Sequence, residues 1–519
     1  MKDFLQRFGH LVLGVLHGFD RMRFRGSKRQ LCHVGGMMSW LAHQRILLKD
    51  YRAFTKDTTL SLCRAIEAPA EQAGLYRYLN NSQDSKEETA LQMAAEQGRT
   101  EGSIAVLGCV EPCQTLNVRG NHQSKKLELR AELTKCKHYY HYYLDPCYGL
   151  RYTRLQTWFP FTRHAGLNGR DWLAQQLTQA GIDFTKKDNC FTWIRDFEAA
   201  QRLADRQQTT DWSTLLAGWM RESQPDADTF LACPVPYYWS LETGEYATDF
   251  AFRSAADLSQ IYPRLVQHAY ATLQSTDLLR FMNYRVRQDG QPYANLAGEV
   301  TTRIKELVEG TCVKHQVCGN QLKMYDKFGQ VLRLETLLRN LRDFKVYRSK
   351  EGDPDGPKEY LRMRQGVADL HGRAEVSRKV NERYAASLAT VENPTPLGEL
   401  TKELGQRVTW RGRKARALNP LAAEDVAVFE AVSRGENFLS GFRNRDLRAS
   451  LFGEVEVSAA EAKRQSAKVT RWLRLLRAHG LIAKIPKTHR YQVTAQGREK
   501  LSALLAARQA NTKQFLQAA

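Results

Sequence analysis

Hydrophobic and polar positions follow different periods in successive parts of the chain, and each change of period marks a change of predicted element. Residues 1–100 have mainly helical spacing. From Ser103 the pattern becomes that of strands, with apolar segments at Ile104–Leu107 and Leu127–Leu129 and a turn signal at Arg119–Asn121. The chain is therefore predicted to begin with a mainly helical region and to continue into a hairpin.

A second run of the same kind follows a predicted helix at 170–182. Tyr246–Phe252 has the character of a strand, and a helix is predicted from Ala255 to Leu273. Hairpin signals then occur at Gly319-Asn320 and at Phe328-Gly329. Strands joined by hairpins and alternating with helices predict an α+β fold with antiparallel sheets.

The C-terminal part of the chain has a different order of elements. Helices are predicted at Ala422–Ser433, Arg443–Leu451 and Ala459–His479, and two alternating segments follow at Leu481–Ile485 and Arg490–Thr494. Three helices followed by a basic hairpin are typical of a winged helix-turn-helix domain.

The segment LRLLRAHGLIAKIPKTHRYQVTAQGREKL resembles the MarR-like winged-helix families, with a closing helix from about Ala495. The resemblance implies a recognition helix in the major groove and a wing over the DNA backbone. The cations that would meet DNA lie on the long helix and on the hairpin. They are Arg464, Lys468, Arg471, Arg474, Lys484, Lys487, His489 and Arg490.

Changes of composition predict four regions. The Gly- and Pro-rich segment 349–357 is typical of a linker or a surface loop, and the Asn-Pro-Thr-Pro at 393–396 marks another break. The predicted regions are a mainly helical, basic region (1–100), an α+β core of one or two units (101–348), a linker with helices (349–414) and the winged helix (415–519).

Charge is the compositional feature that bears most on function. The 519 residues include 77 Lys and Arg against 56 Asp and Glu, a formal net charge of +21. Residues 461–519 alone hold 13 Lys and Arg against two acidic residues, and a second basic stretch contains Arg21, Arg23 and Arg25. Such an excess favours a nucleic-acid partner, with DNA expected first and RNA as the alternative.

Other features of the composition limit the class of protein. Hydrophobic residues make up 42% and charged residues 26%, which excludes a mostly disordered chain. No apolar run approaches the ~18 residues of a membrane span, so no membrane partner is expected. The ten cysteines form no CxxC pair and no export signal precedes them, which favours the cytoplasm. The sequence does not indicate an oligomeric state.

The segment KMYDKFGQVLRLET carries a further resemblance. Its YDK…LRLE pattern is similar to strands of phage and plasmid rolling-circle replication initiators. That resemblance implies that Glu335 helps to hold a divalent metal, Mg²⁺ or Mn²⁺. With Phe328-Gly329 as a two-residue turn, Asp326 would oppose Val331 and share a face with Arg333 and Glu335. Arg333 would then lie between two carboxylates in a surface ion-pair ladder, which is the structural alternative to a metal site.

The partners of Glu335 would come from other strands. Asp249 interrupts an apolar strand, where an unpaired carboxylate is costly, so Asp249 is a candidate ligand with one of His138 or His141. The initiators use histidines two residues apart, whereas a spacing of three places His138 and His141 on opposite faces of a strand. Tyr325 is the candidate strand-cleaving nucleophile that lies nearest to Glu335 in sequence; Tyr142, Tyr148 and Tyr284 are the others.

A zinc site is the competing interpretation of the same region. Thiols and imidazoles are the preferred ligands of structural zinc, and 109–147 contains enough of them for a tetrahedral site, although the spacing fits no standard motif. The candidates are Cys109, Cys113, Cys136, His138, His141 and Cys147.

The segments GFDRMRFRG, RLQTWFPF, KMYDKFGQVLRLET and SGFRNRDLR together resemble an uncharacterised bacterial family with the character of mobile-element proteins. The chain has no P-loop, GxSxG or dinucleotide-binding motif. The sequence therefore favours a nucleic-acid-binding protein of a mobile or replicating element that nicks or transfers DNA with a metal ion. The alternative is a protein without catalysis, either a winged-helix regulator or an RNA-binding ribonucleoprotein component.

Overall fold

A computed structural model of the chain describes all residues except 225–235, 285–299, 308–309, 351–352, 354, 391–396, 421, 434–440, 454–456, 486–487, 495, 498–499, 502 and 506–519. The chain divides into two compact units. One comprises Met1–Val266 and Thr301–Ala385, and the other comprises Gln267–Val300 and Ala386–Ala519.

Groups of helices and groups of strands follow one another along the chain. The helices are α1 (Lys2–Phe8), α2 (Val34–His43), α3 (Tyr51–Gln72), α4 (Lys86–Glu96), α5 (Gly169–Gln179), α6 (Phe197–Thr209), α7 (Trp212–Ser223), α8 (Ala255–Gln267), α9 (Ser275–Phe281), α10 (Leu370–Leu388), α11 (Leu397–Lys402), α12 (Ala423–Val432), α13 (Asn444–Phe452) and α14 (Ala459–Ala478). The strands are β1 (Val12–Ser27), β2 (Tyr76–Tyr78), β3 (Gly102–Asn121), β4 (Lys126–Asp145), β5 (Gly149–Gln156), β6 (Arg163–Asn168), β7 (Phe184–Lys187), β8 (Cys190–Ile194), β9 (Tyr238–Phe252), β10 (Val300–Leu307), β11 (Gly310–Val317), β12 (Asn320–Lys327), β13 (Val331–Leu337), β14 (Lys345–Arg348), β15 (Glu359–Arg362), β16 (Val408–Trp410), β17 (Arg413–Ala415), β18 (Ile482–Lys484) and β19 (Tyr491–Val493).

One sheet of eleven described strands organises the first unit. Its order is β10-β11-β12-β13-β9-β1-β6-β5-β4-β3-β2. The strands from β11 to β3 are antiparallel to their neighbours, and β2 joins β3 in parallel. The mixed helix and sheet agrees with the predicted α+β class.

The N-terminal region differs from the prediction at its first long element. Val12–Ser27 is a strand at the centre of the sheet, between β9 and β6, rather than part of a helical region. The basic stretch alternates with apolar residues, so Met22 and Phe24 are buried while Arg21 and Arg23 are exposed. Period-two alternation is the signal of a half-buried strand, and the density of arginines in this stretch concealed it.

The β12–β13 hairpin also differs from the prediction, by one residue of register. Its loop has three residues, so Lys327 opposes Val331 and Asp326 opposes Leu332. Phe328 and Gly329 both have positive φ, at 56° and 72°. A slip of one residue moves every side chain to the other face. Asp326 therefore lies on the opposite face from Arg333 and Glu335, and the predicted ion-pair ladder does not form.

The segment predicted as the first linker lies within the first unit. It connects β14 to β15, which pair with each other from Lys345↔Arg362 to Arg348↔Glu359. A turn-rich composition predicts a loop equally well in a hairpin and between domains, so the pattern alone did not separate the two.

Helices cover both faces of the sheet. On one face α5 and α6 pack over Leu16 of β1, and α4 packs over the β3–β4 strands. On the other face α7 and α10 bury Phe19, Met22 and Phe24 in a cluster rich in tryptophan, and α2 and α3 cover the β3–β5 strands. No helix among the described residues is long and apolar enough to cross a membrane.

The C-terminal elements of the second unit occur in the predicted order. α12, α13 and α14 precede the β18–β19 hairpin, and Gly480 ends α14 with a φ of +70°. Phe442 forms an isolated antiparallel bridge with Tyr491 of β19, next to the β18–β19 hairpin. Trp472, Leu473 and Leu476 of α14 lie in the core of this unit. Part of the closing helix expected from Ala495 lies outside the described residues.

Candidate metal centre

Three carboxylates from three adjacent strands converge on one face of the sheet. Glu335 of β13 and Glu245 of β9 lie on the same face, because alternate residues of a strand share a face and Glu335 pairs with Ala247. Asp20 lies in β1 where the pairing with β9 is irregular, between Phe19 and Met22. Asp20 lies two residues from Gly18, which pairs with Ala247, so alternation along β1 places its side chain on the face of the two glutamates.

The three residues form what we call the acidic trio: Asp20, Glu245 and Glu335. Each offers one carboxylate oxygen, and these oxygens all lie within 4.8 Å of one another. Asp20 and Glu335 are buried, whereas the Glu245 side chain is 19% exposed, so the trio opens to solvent on one side. This arrangement of oxygen ligands can hold a divalent ion.

Asp20 has one oxygen that the protein does not use. Its Oδ2 accepts hydrogen bonds from Arg333 Nη1 at 2.8 Å and from Asn189 Nδ2 at 2.6 Å. Its Oδ1 is buried and accepts no hydrogen bond from any described residue. A buried carboxylate oxygen without a partner is costly, and a bound cation would satisfy it.

A lysine and a tyrosine from β12 contact the trio. Lys323 Nζ lies 2.5 Å from Glu335 and 3.3 Å from Glu245. The Tyr325 hydroxyl donates a hydrogen bond to the other oxygen of Glu335. Both contacts follow from the observed register, in which Lys323 pairs with Glu335 and Tyr325 with Arg333.

The protonation states of these groups differ with their partners. Burial raises the pKa of Asp20 to about 6, although Arg333 acts in the opposite direction. Burial acts to raise the pKa of Glu335, but the charge and hydrogen bond of Lys323, the hydrogen bond of Tyr325 and the charge of Arg333 together lower it. Burial, followed by the charge of Glu335, raises the pKa of Tyr325 well above its usual value, so Tyr325 is a neutral phenol at neutral pH.

Asp249 lies beside the trio in a separate network. Arg333, which is fully buried, forms a forked pair with its carboxylate at 2.6 and 2.8 Å, and Arg170 adds a third contact at 2.9 Å. Burial opposes ionisation, but these two guanidinium groups lower the pKa of Asp249. Arg333 also reaches Asp20, so this network fixes the position of Asp20 within the trio.

The predicted ligands are therefore only partly brought together. Glu335 and Tyr325 lie at the trio, whereas Asp249 is held by arginines and belongs to no ligand cluster among the described residues. His138 and His141 lie on opposite faces of β4, as their spacing predicted, and neither is grouped with Glu335. His141 is buried, and burial lowers its pKa to about 4.

A second group of ligands assembles on the β3–β4 hairpin. We call it the thiol–imidazole cluster: Cys113, Cys136 and His138, whose ligand atoms lie within 4.8 Å of one another. Cys136 and His138 are two residues apart on β4 and share a face. Cys113 opposes Thr134 on the same ladder, so it lies diagonally next to Cys136, and their sulfur atoms are 2.9 Å apart.

Cations surround the acidic trio on the same face of the sheet. Arg21 follows Asp20 directly and is exposed. Partial desolvation of its guanidinium acts to lower its pKa, but the charges of nearby carboxylates, those of Asp20 and Glu245 first, raise it. On the other side, Lys314 stands directly opposite Lys323 in the β11–β12 ladder and makes no ion pair with any described residue. Burial, followed by the charge of Lys323, lowers the pKa of Lys314.

A row of basic side chains continues across the sheet from the arginines of β1. Arg25 opposes His164 of β6, and His164 opposes Arg154 of β5. Arg25 Nε, Arg154 Nε and His164 Nδ1 are buried and have no partner among the described residues. Arg23, which is two residues closer to Asp20 along β1 than Arg25 is, contacts the Glu242 carboxylate at 2.8 Å. Glu111 pairs with Arg154 at 2.9 Å, and burial lowers the pKa of His164 well below its usual value, so His164 is neutral at neutral pH.

The predicted DNA-contacting residues of the second unit lie on the solvent side of α14 and on the hairpin. Arg464, Arg471 and Arg474 are exposed, and Arg464 is within 3.0 Å of Glu461. Lys468 pairs with Glu424 at 2.8 Å and stands over the Trp472 ring. On the hairpin, Lys484 and His489 are exposed, whereas Arg490 donates to the Gly441 carbonyl. Lys487 lies outside the described residues.

Comparisons with protein-family models, with curated proteins and with solved structures gave no match to this chain.

Three residues of the site were not identified from the sequence: Asp20, Glu245 and Lys323. Asp20 stood beside the basic stretch, where a lone acidic residue in an alternating strand was a usable signal. Lys323 could have been found from the register of the hairpin, because it lies directly opposite Glu335. Glu245 gave no signal of its own, since it lies in a Thr-Gly-Glu turn-like segment.

Proposed function

We propose that this protein cleaves or transfers phosphodiester bonds in nucleic acid, with a divalent metal ion held by Asp20, Glu245 and Glu335. The observation that carries the proposal is the convergence of these three carboxylates, one of which, Asp20, has a buried oxygen without a partner among the described residues. A bound Mg²⁺ or Mn²⁺ would supply Lewis-acid stabilisation of the phosphate oxygens that gain charge. Carboxylate oxygens are among the ligands that these ions prefer.

The surrounding side chains have complementary roles in this proposal. Lys323 holds Glu335 and Glu245 together and neutralises part of their charge in the absence of a metal. Tyr325 is buried and its pKa is raised, so it positions Glu335 through its hydrogen bond rather than attacking the phosphate. Arg333, which is itself held by Asp249, fixes the position of Asp20 through its hydrogen bond to Asp20 Oδ2.

The surfaces near the trio fit a polyanionic substrate. Arg21 and Lys314 flank the carboxylates on either side, and Arg23 is exposed further along β1. Backbone phosphates would satisfy these groups. Selection of a DNA site is assigned in this proposal to residues 415–519 as a winged helix, because three helices, a basic hairpin and the Phe442–Tyr491 bridge occur in the order such a domain requires.

The test is a nicking assay on supercoiled and single-stranded DNA and on RNA, with Mg²⁺ or Mn²⁺. Asp20→Asn and Glu335→Gln should each lower the cleavage rate at least a hundredfold, an effect on the order of 3 kcal/mol in the barrier. Tyr325→Phe should lower the rate by a smaller factor. Binding of Mn²⁺, followed by its paramagnetic resonance, should weaken in Asp20→Asn and Glu335→Gln.

Glu359→Gln is the matched control, because Glu359 is an exposed carboxylate of a strand outside the main sheet. It should leave both cleavage and Mn²⁺ binding unchanged. Cleavage that survives Glu335→Gln would remove Glu335 from the reaction. A covalent adduct between Tyr325 and DNA would assign Tyr325 the role of nucleophile instead.

A second candidate function is a site-specific DNA-binding regulator without catalysis. The exposed Arg471 and Arg474 of α14 favour it, since binding through them would require no contribution from the trio. Tight, sequence-specific duplex binding together with no cleavage of any nucleic acid would favour this candidate.

A further inference from the structure

A separate site on the β3–β4 hairpin has the chemistry of a zinc centre. We propose that Cys113, Cys136 and His138 bind one zinc ion, with the two sulfur atoms as thiolates and a fourth position open to water. Thiolate and imidazole ligands select zinc over the Mg²⁺ or Mn²⁺ that an all-carboxylate site takes. The proposal is independent of the acidic trio and of its function.

The three ligand atoms lie close enough for one ion. All of them fall within 4.8 Å of one another, and the sulfur atoms are 2.9 Å apart. In a tetrahedron with zinc–sulfur bonds of about 2.3 Å, the two sulfur atoms are roughly 3.8 Å apart. A small rotation of the Cys113 or Cys136 side chain would increase the distance between the two sulfur atoms to this value.

The imidazole of His138 is already oriented for coordination. Its Nδ1–H donates to the backbone carbonyl of Cys136 at 3.1 Å, which leaves Nε2 as the nitrogen with a free lone pair. A hydrogen bond from the other ring nitrogen to a carbonyl is the usual way in which a metal-ligating histidine is fixed. His138 is buried, whereas Cys136 is partly exposed and provides a path for the ion.

The position of the cluster in the sheet indicates what the ion would do. Pairing between β4 and β5 begins at His138, and β3 and β4 beyond this point pair with no further strand among those described. Residues 114–135 therefore form a two-stranded ribbon beyond the last β4–β5 pair, and Leu116 and Leu129 still pack it against Tyr51 and Phe159. A zinc ion here would join the two strands at the base of that ribbon.

The test uses the full chain, stripped of metal with a chelator and reloaded with Co²⁺. Two cysteine ligands should give an intense near-ultraviolet thiolate-to-cobalt band at one ion per chain, and added Zn²⁺ should abolish it. Cys113→Ser, Cys136→Ser and His138→Gln should each lose or strongly weaken the band. Cys147→Ser and Cys109→Ser are the matched controls, because neither thiol belongs to the cluster, and both should retain it.

Hydrogen exchange gives a readout that does not depend on spectroscopy or activity. Zinc should slow exchange of the backbone amides in 114–135 in the wild type, and should have no effect there in Cys113→Ser. Glu335→Gln should leave the cobalt band intact, so failure of the trio and failure of this site are distinguishable.

Two results would overturn the proposal. One is a folded, fully reduced chain that gives no thiolate-to-cobalt band. The other is a Cys113–Cys136 disulfide in protein purified without reductant, together with no metal uptake after reduction, which would assign the pair a redox role instead.

Discussion

Buried carboxylates of the central strands have two different fates in this protein. Asp249 and Glu335 both interrupt apolar strands, and both were expected to need a compensating partner. The structure gives Asp249 two arginines and gives Glu335 a lysine and a tyrosine. Only Glu335 shares its position with two further carboxylates, which is why we assign it to the metal site and Asp249 to its support.

Asp249→Asn tests this division through stability. The substitution leaves Arg333 and Arg170 without their full countercharge in a buried site, so the free energy of unfolding should fall by about 3–5 kcal/mol. Urea denaturation followed by circular dichroism measures it. Asp183→Asn is the control: its pair with Arg195 has side chains that are 70% and 57% exposed, and its loss should cost at most about 1 kcal/mol. Equal stabilities of the two variants would contradict the assignment.

His315 makes the stability of the first unit depend on pH. Its imidazole is buried between Thr302 and Tyr384, at 2.9 and 2.8 Å, and burial lowers its pKa to about 4 from an ordinary 6.5. Between these values the unfolded chain binds the proton and the folded chain does not. Stability is therefore full above about pH 6.5 and falls as the pH drops towards 4, by about 3 kcal/mol from this residue.

The measurement is urea unfolding of the wild type and of His315→Gln at pH 7 and pH 4. Other groups titrate in the same range, so the difference between the two proteins at each pH isolates His315. The variant should lose less stability on acidification than the wild type; an identical loss would contradict the prediction.

Elements were predicted well where the period was clear and less well where register decided the outcome. The apolar segments of β3 and β4, the hairpins at β11–β13 and the three helices α12–α14 all occur where the pattern placed them. The face of Asp326 was wrong because a loop of three residues was taken as two. Loop length is set by backbone conformation at Phe328 and Gly329, and hydrophobic spacing carries no information about it.

The candidate site was predictable only in part for a similar reason. Local sequence identified Glu335 and Tyr325 as candidate site residues. It also identified the basic stretch that contains Arg21, Arg23 and Arg25. Asp20 and Glu245 join Glu335 through pairing between strands more than 80 residues apart, which no local pattern specifies. Single-strand patterns give the face of a residue but not the neighbour that it meets there.

The long helix α14 carries a prediction of its own. Arg471→Ala should weaken binding of the full chain to its preferred duplex by about 1–3 kcal/mol if the guanidinium contacts a base edge. Lys468→Ala should have a smaller effect, since Lys468 already pairs with Glu424. Titrations by fluorescence anisotropy measure both. Lys379→Ala, an exposed cation paired with Glu375 on α10, should bind as the wild type does; wild-type binding by all three would exclude α14 as the reading helix.

At the scale of the whole molecule, the excess of 21 positive charges predicts a strong dependence of binding on salt. If about six phosphates are neutralised, the logarithm of the binding constant should fall against the logarithm of salt concentration with a slope of about −5. Removing Arg21 and Arg25 together should make that slope shallower by about 1–2 on single-stranded substrates. Filter binding over a series of salt concentrations tests this, and a slope near zero would exclude a phosphate-dominated interface.

The position of β1 at the centre of the sheet has a consequence for how the protein is made. β1 leaves the ribosome first, yet one of its two neighbours, β9, follows more than 200 residues later, and Glu335 comes later still. At roughly 5–20 residues per second, that interval lasts on the order of ten seconds or longer. A chain that ends before Glu335 therefore has no complete acidic trio. Under the proposed function, nucleic acid in the cell would be exposed to cutting only by copies that extend beyond Glu335.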